Sequence, residues 1–261
     1  MTPTTLSSEP VSTAGLSLPD LPPPGGLCAI HQPNLFPRLA TLAKLATADY
    51  WIVLDDVQFA RRDYQHRVRL AALDNPTRWQ WLSISTHLPH GRSTLIGQAR
   101  LADPTRCRRR VAQLLADYYR NSDHWPAFKQ QLGSMLTQFE TTDRLADVAE
   151  ASTQLLLRAV GWTGQIIRSS DLPSRNGRSE RLADLARATG ASTYLCGTGG
   201  MRYLDTKAFR AHAVEVQPFQ APLSGIWESA RKLSALHALM LIGPQALSRE
   251  LGDLATLTRT P

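Results

Sequence analysis

The chain has 261 residues, 43% of them hydrophobic, which supplies a sizeable core and places it among globular proteins. Lysine and arginine number 29 against 22 aspartate and glutamate, so the net charge of +7 favours anionic partners: nucleic acid, phosphorylated metabolites or an acidic carrier protein. Aromatic residues make up 7% and do not alternate with the basic ones, which argues against a stacking platform for nucleic acid, and no run of 18 apolar residues predicts a membrane span.

Cys28, Cys107 and Cys196 form neither a CxxC pair nor an even disulfide framework, so a reducing compartment is expected. The N-terminus shows no basic stretch followed by an apolar one, and the expectation is a cytoplasmic protein. Residues 1–26 are rich in Ser, Thr and Pro and close with Pro22-Pro23-Pro24-Gly25-Gly26; that composition predicts a disordered arm outside the fold.

A single α/β domain is expected over 27–261. The apolar run at 27–30 predicts a buried strand ending at His31-Gln32-Pro33. A helix follows over about 38–47, with Leu39, Leu42, Ala43 and Ala46 on its apolar face and Lys44 as a solvated charge. The run at 50–54 predicts a central parallel strand that ends at Asp55-Asp56. Ligands of open parallel sheets bind beyond the carboxyl ends of the strands, so both polar motifs reach one edge.

Further on, a strand is predicted over 78–84, followed by a polar loop with His87 and His90. A helical insertion covers about 104–161 in three helices, at 104 onwards, 125–139 and 144–160. The cluster Arg106, Arg108, Arg109 and Arg110 reads as a solvated face of the first. Strands at 165–169 and 193–196 flank a helix at 180–189, and helices at 226–241 and 246–251 finish the chain. Strand-helix-strand units at both ends predict a doubly wound, mainly parallel sheet of Rossmann-like type with a helical insertion.

Three elements can carry chemistry. His31 at a strand end can donate to a phosphate, act as a base or simply satisfy a neighbouring carbonyl. Asp55 and Asp56 can hold Mg²⁺, take a proton from an amine, pair with Arg67 or Arg69, or cap a helix. Successive strand residues point to opposite faces, so one of the two faces the site unless the strand has already ended. In the third, a strand runs into Gly197-Thr198-Gly199-Gly200, whose backbone can approach a phosphate or carboxylate closely or merely turn. The spacing is not the dinucleotide fingerprint, and Cys196 has no histidine fixed beside it as a nucleophile would.

The succession Ile30-His31-Gln32-Pro33-Asn34-Leu35-Phe36-Pro37, Leu54-Asp55-Asp56-Val57-Gln58-Phe59 and His66-Arg67-Val68-Arg69 resembles the WbqC-like family of bacterial O-antigen and natural-product gene clusters. The resemblance continues through Ser169-Ser170, Arg181-Leu182, the block from Tyr194 to Asp205 and Ser234, covering about 27–243. The chain departs from the family at Arg38, where Trp is usual, at Cys196, where Ser is frequent, and at His237, which replaces an acidic residue.

The resemblance implies modification of small amine-bearing molecules, such as amino sugars, by acyl or aminoacyl groups. Its layout is also similar to that of the nucleotidyltransferase and pantothenate-synthetase-like enzymes, although those carry two histidines in the first loop and only His31 is present here. His31, Asp55 and Asp56 are the catalytic candidates. Gln32, Asn34, Gln58, Arg67, Arg69, Ser169, Gly197, Gly199, Gly200, Tyr203 and Asp205 are the substrate-binding candidates.

The leading expectation is transfer of an acyl or aminoacyl group from an activated, phosphate-bearing donor, an adenylate or a carrier thioester, to an amine. The alternatives are a nucleotidyltransferase or ATP-dependent ligase with ATP and Mg²⁺ at the same site, and a non-catalytic binder of an acidic acyl or peptidyl carrier protein. The cofactor choice between ATP with Mg²⁺ and a phosphopantetheine carrier is left open.

Overall fold

A computed structural model describes residues 25–259, so the expected arm falls almost wholly outside the described residues. The first apolar run forms β1 (Leu27–His31), which leads through the His31 loop into α1 (Leu39–Thr47) and then β2 (Tyr50–Val53). All four positions of β2 are buried, as its continuous apolar run requires of a strand flanked on both sides. An antiparallel hairpin of β3 (Arg67–Ala71) and β4 (Trp79–Ser83) comes next, then the short pair β5 (Thr86–His87) and β6 (Arg100–Leu101).

The insertion consists of α2 (Pro104–Tyr119), α3 (Trp125–Leu136), the single turn α4 (Gln138–Thr141) and α5 (Leu145–Ala159). In α2 the Asp103 carboxylate caps the Arg106 N–H at 2.8 Å and Pro104 takes the first turn. Its arginines are not all free in solvent: Arg108 pairs with Glu140 at 3.1 Å and Arg110 donates to the Ser83 carbonyl at 3.0 Å. The last third of the chain supplies β7 (Gln165–Arg168), α6 (Arg178–Ala188), β8 (Thr193–Gly197), α7 (Thr198–Met201), α8 (Thr206–Arg210), β9 (Glu215–Phe219) and α9 (Ala235–Arg259).

Five of these strands build one parallel sheet in the order β7-β2-β1-β8-β9. Its alternate residues feed two cores. Ala29, Trp51, Val53 and Leu195 pack beneath α1, α5 and α9, whereas Cys28, Ile30, Tyr50, Ile52, Tyr194 and Cys196 pack beneath α6 and α8. The sheet is therefore doubly wound, as expected. The chain steps from β1 outward to β2 and β7, then crosses to β8 on the other side of β1. Strand order reverses between β1 and β8, and a crevice opens at such a reversal.

Two expectations for the C-terminal third need correction. The helix expected at 226–241 starts only at Ala235 and ends at the break at Gly243 (φ +79°) and Pro244, and the helix beyond that break, expected at 246–251, runs on to Arg259; the two together are labelled α9. Residues 230–234 are held instead by the first helix and the hairpin. The Leu39 and Ala40 N–H groups at the start of α1 donate to the Leu233 and Ala230 carbonyls, and the Ser234 N–H donates to the Arg69 carbonyl. The edge strand β9, with Pro218 inside it, was not expected at all. Among the described residues no helix is long and apolar enough to cross a membrane.

Candidate functional site

The loop after β1 is bonded from three sides. The Asn34 carbonyl accepts the Ser152 and Thr153 hydroxyls at 3.3 and 2.9 Å, and the Phe36 N–H donates to Ser152 Oγ at 2.8 Å. Ser234 Oγ donates to the Phe36 carbonyl at 2.9 Å, and the Leu35 N–H reaches the Tyr64 carbonyl. These bonds hold Phe36 at φ +42°, a left-handed conformation that a bulky residue adopts only under such constraint. The Gln32–Pro33 peptide is trans. Gln32 accepts a hydrogen bond from the buried Gln65, so it braces the loop against the chain entering β3.

His31 stands at the carboxyl end of β1, on the floor of a cavity of about 430 Å³ at the β1–β8 reversal. Arg38, Thr41 and Lys44 line it from the α1 side, Cys196 and Gly197 to Gly200 from the β8 side, and Arg231 from the segment before α9. Among the described residues no carboxylate lines it. A Cβ at Gly197 or Gly199 would meet nothing within 4 Å, so these glycines leave the backbone open to the cavity. A Cβ at Gly200 would lie 2.8 Å from Cys196 Sγ.

Lys44 is the largest correction to the sequence reading. It is 5% exposed rather than solvated, because α1 is covered on several sides: seven of its nine residues are buried, Lys44, the sixth, among them. Its ammonium donates to the Ile30 carbonyl at 3.1 Å and to His31 Nδ1 at 3.4 Å. Burial lowers its pKa from 10.5 to about 8, opposed weakly by the nearby Cys196 and Cys28 thiols. With Nδ1 accepting from Lys44, the His31 Nε2–H points to Asn34 Oδ1 at 3.3 Å. Burial, then Lys44 and Arg38, hold the imidazole well below its ordinary pKa, so His31 is neutral at neutral pH. Desolvation raises the pKa of Cys196, which is 1% exposed and stays a thiol.

Asp55 and Asp56 arrive at the same sheet edge but in a separate cluster. The strand has ended at Val53, so both carboxylates turn to one side and share the Ser169 hydroxyl. Asp55 is 2% exposed and also accepts from the Ser170 N–H at 3.1 Å and the Ser170 hydroxyl at 3.0 Å. Asp56 is ion-paired with Arg181 rather than with Arg67 or Arg69. Neither aspartate lines the His31 cavity. The network joins the ends of β2 and β7, and the Leu54 N–H bonded to the His31 carbonyl at 3.0 Å joins β2 to β1.

The remaining candidates lie elsewhere. Arg67 donates to the Asp63 and Arg62 carbonyls and Gln58 to the Arg92 carbonyl, while Arg69 stacks on Trp79 and Trp81. Tyr203 is exposed beneath the Arg178 guanidinium, and the Asp205 carboxylate caps α8 at the Lys207 N–H. The structure therefore gathers His31, Gly197, Gly199 and Gly200 around one cavity, with Gln32 and Asn34 in its supporting loop. Arg38, Lys44 and Arg231 complete it. A single lysine inside the otherwise uncharged helix Leu39-Ala-Thr-Leu-Ala-Lys-Leu-Ala-Thr47 was the available signal for Lys44, whereas nothing local marks Arg231. Among the described residues no group of three or more His, Cys, Asp or Glu could hold a metal ion.

Comparison with known proteins agrees with the motif reading. The family model described as the WbqC-like protein family matches residues 32–249. An uncharacterized protein, Rv1507c, of Mycobacterium tuberculosis (strain ATCC 25618 / H37Rv) is 24% identical over 225 residues, covering 84% of this chain and 94% of that protein. No solved structure matches the chain.

Proposed function

The chain belongs to the WbqC-like protein family, and from that premise we propose that it is an enzyme that transfers an acyl or aminoacyl group from an activated, phosphate-bearing donor to an amine. One observation carries this reading: among the described residues the crevice at the strand-order reversal is lined by Arg38, Lys44 and Arg231 and by no carboxylate. Three uncompensated cations around a cavity of about 430 Å³ fit the phosphates of a nucleotide or of phosphopantetheine.

Lys44 holds the leaving end of the donor. The amine attacks the acyl carbonyl, a C–N bond forms, and the C–S bond of a thioester or the C–O bond of an adenylate breaks. The Lys44 ammonium gives its proton to a departing thiolate, and the proton shed by the new amide nitrogen returns to the Lys44 amine. Its pKa of about 8 is close to that of a free thiol, the match that proton transfer favours. Neutral His31 fixes the Lys44 nitrogen by accepting from it, and Asn34 fixes His31. Asp55 and Asp56 hold the β2 and β7 ends that support this floor.

Calorimetric titration with ATP, AMP and free phosphopantetheine tests the reading. At least one should bind, and Arg231→Ala, an exposed and structurally neutral change, should weaken it about tenfold or more, as loss of one charged contact does. Binding that is unaltered in both Arg231→Ala and Lys44→Met would place the phosphate elsewhere and end the proposal. Pyrophosphate exchange into ATP would assign the same crevice to an ATP-dependent ligase.

A further inference from the structure

Outside the crevice, the hairpin carries a stack of alternating rings and guanidinium groups. The Arg38 guanidinium lies 4.1 Å from the Tyr64 ring centre, and Tyr64 faces Trp81 at 6.0 Å. Arg67 lies over Trp81 at 4.4 Å, and Arg69 bridges Trp81 and Trp79 at 4.8 and 4.5 Å. Strand pairing creates this order. Arg69 stands opposite Trp81 and Ala71 opposite Trp79, so one face of the two-stranded sheet places each arginine beside a ring. Linear sequence hides the alternation, because the arginines and tryptophans lie on different strands.

The stack is charged and unneutralised. Among the described residues Arg38, Arg67 and Arg69 make no salt bridge. Arg38 and Arg67 donate only to main-chain carbonyls, and the buried Nε of Arg38 and of Arg69 has no partner. Stacking orders a guanidinium without using its N–H groups: the two terminal amino groups of Arg69 are left for bidentate contact with a carboxylate or phosphate, and Arg67 keeps Nη1 for one further contact. Rings whose faces are occupied by arginine are poor platforms for nucleobases, which need those faces. The stack is also continuous with the crevice, since Arg38 belongs to both.

We propose that this hairpin face docks a small acidic protein, which presents carboxylates to the stacked arginines and delivers a tethered phosphopantetheine group past Arg38 into the crevice. The inference rests on the acyl-transfer reading for its cargo but on the hairpin alone for its docking. Carboxylates on successive turns of an acidic helix would meet Arg67 and Arg69, and Trp79, 44% exposed at the far end, would cover an apolar residue of the partner.

The test uses the full chain with a bacterial acyl carrier protein in its apo and phosphopantetheine-bearing forms, at 0.05 and 0.2 M salt as probe conditions. Both forms should bind, more weakly at the higher salt. Arg69→Glu should weaken both about tenfold or more, and Arg69→Lys should weaken them by a smaller factor while leaving the melting temperature unchanged. Free phosphopantetheine should bind Arg69→Glu as it binds the native protein. Carrier affinity unchanged in Arg69→Glu overturns the inference, as does failure of both carrier forms to bind. A 20-nucleotide single strand that binds more tightly, with the same dependence on Arg69, overturns it in favour of nucleic acid. The two proposals separate cleanly. Carrier binding that survives Lys44→Met, with no small phosphate ligand bound, supports docking and removes the crevice reading; the opposite pattern removes docking alone.

Discussion

A buried ammonium without a counter-ion should reveal itself as a pH-dependent cost, and Lys44→Met isolates it. In the folded protein the Lys44 pKa falls from 10.5 to about 8, chiefly through burial, which corresponds to about 3 kcal/mol against the charged form. Below pH 8 both folded and unfolded chains carry the proton and the full cost is present. Between pH 8 and 10.5 the unfolded chain keeps a proton that the folded chain has released, so native stability rises with pH. Above 10.5 the cost is gone. Methionine has no such group, so the stability of the native protein relative to Lys44→Met should climb by about 3 kcal/mol between pH 7 and 10.5. Loss of the bonds to Ile30 and His31 costs the variant about 1 kcal/mol each, a term that does not depend on pH in that window. Burial also pushes the Cys28 thiol up to about 12 and raises Cys196, so alkali destabilises both proteins through their thiols, and the difference between them largely cancels this. Urea denaturation of the pair at pH 7, 8, 9, 10 and 10.5 measures it, with the difference in midpoint moving by about 1 M or more. A difference that stays flat across the series would mean that Lys44 is solvated in the folded protein, and the proton-transfer role that rests on its lowered pKa would fail.

Four further substitutions test the geometry. Ser234→Ala removes a buried hydroxyl that holds the Phe36 carbonyl and accepts the Leu236 N–H, so it should lower stability by about 1–3 kcal/mol in urea melts and loosen the His31 loop. Gly200→Ala should cost about 1–3 kcal/mol through the close approach to Cys196 Sγ, and Cys196→Ala in the same chain should recover most of it in a double-mutant cycle. Asp55→Asn should destabilise by about 2 kcal/mol, because an amide N–H₂ meets two hydroxyls and an N–H already oriented to donate. Asp56→Asn, at a partly buried ion pair, should cost less, about 1 kcal/mol in the same melts. If Asp55→Asn instead kept full stability and lost turnover, the carboxylate would be a base and not a brace.

The parts of the fold that the sequence revealed are those where burial is one-dimensional. The runs at 27–30 and 50–54 are apolar because both faces of β1 and β2 are covered, and Gly190 marks the end of the helix before β8. The edge strand β9 escaped notice because Pro218 and its polar neighbours suit an edge and not a run. The strand β3 was not expected either: Val68 and Leu70 do alternate with Arg67 and Arg69, but the pattern is only five residues long. At the site, strand-end reasoning brought His31 and Gly197 to Gly200 together correctly. It could not separate them from Asp55 and Asp56, because which neighbours share a crevice depends on sheet order. Strand order places β8 against β1 and β7 against β2, and that pairing is decided by contacts more than 100 residues apart in the chain.

The placement of Arg231 and Ser234 also bears on how the protein comes into being. The Ser234 hydroxyl holds the first loop, Arg259 donates to the Thr47 carbonyl and Asp49 carboxylate, and α9 lies along α1. The crevice thus joins segments from opposite ends of the polypeptide. During synthesis β1, α1 and β2 leave the ribosome long before the residues that close over them, so the nascent N-terminal half has exposed apolar surface and no finished site. High contact order of this kind slows folding and exposes intermediates to aggregation and chaperones. Deleting the C-terminal turn at 256–259 should therefore impair the yield of soluble protein more than the activity of the molecules that do fold.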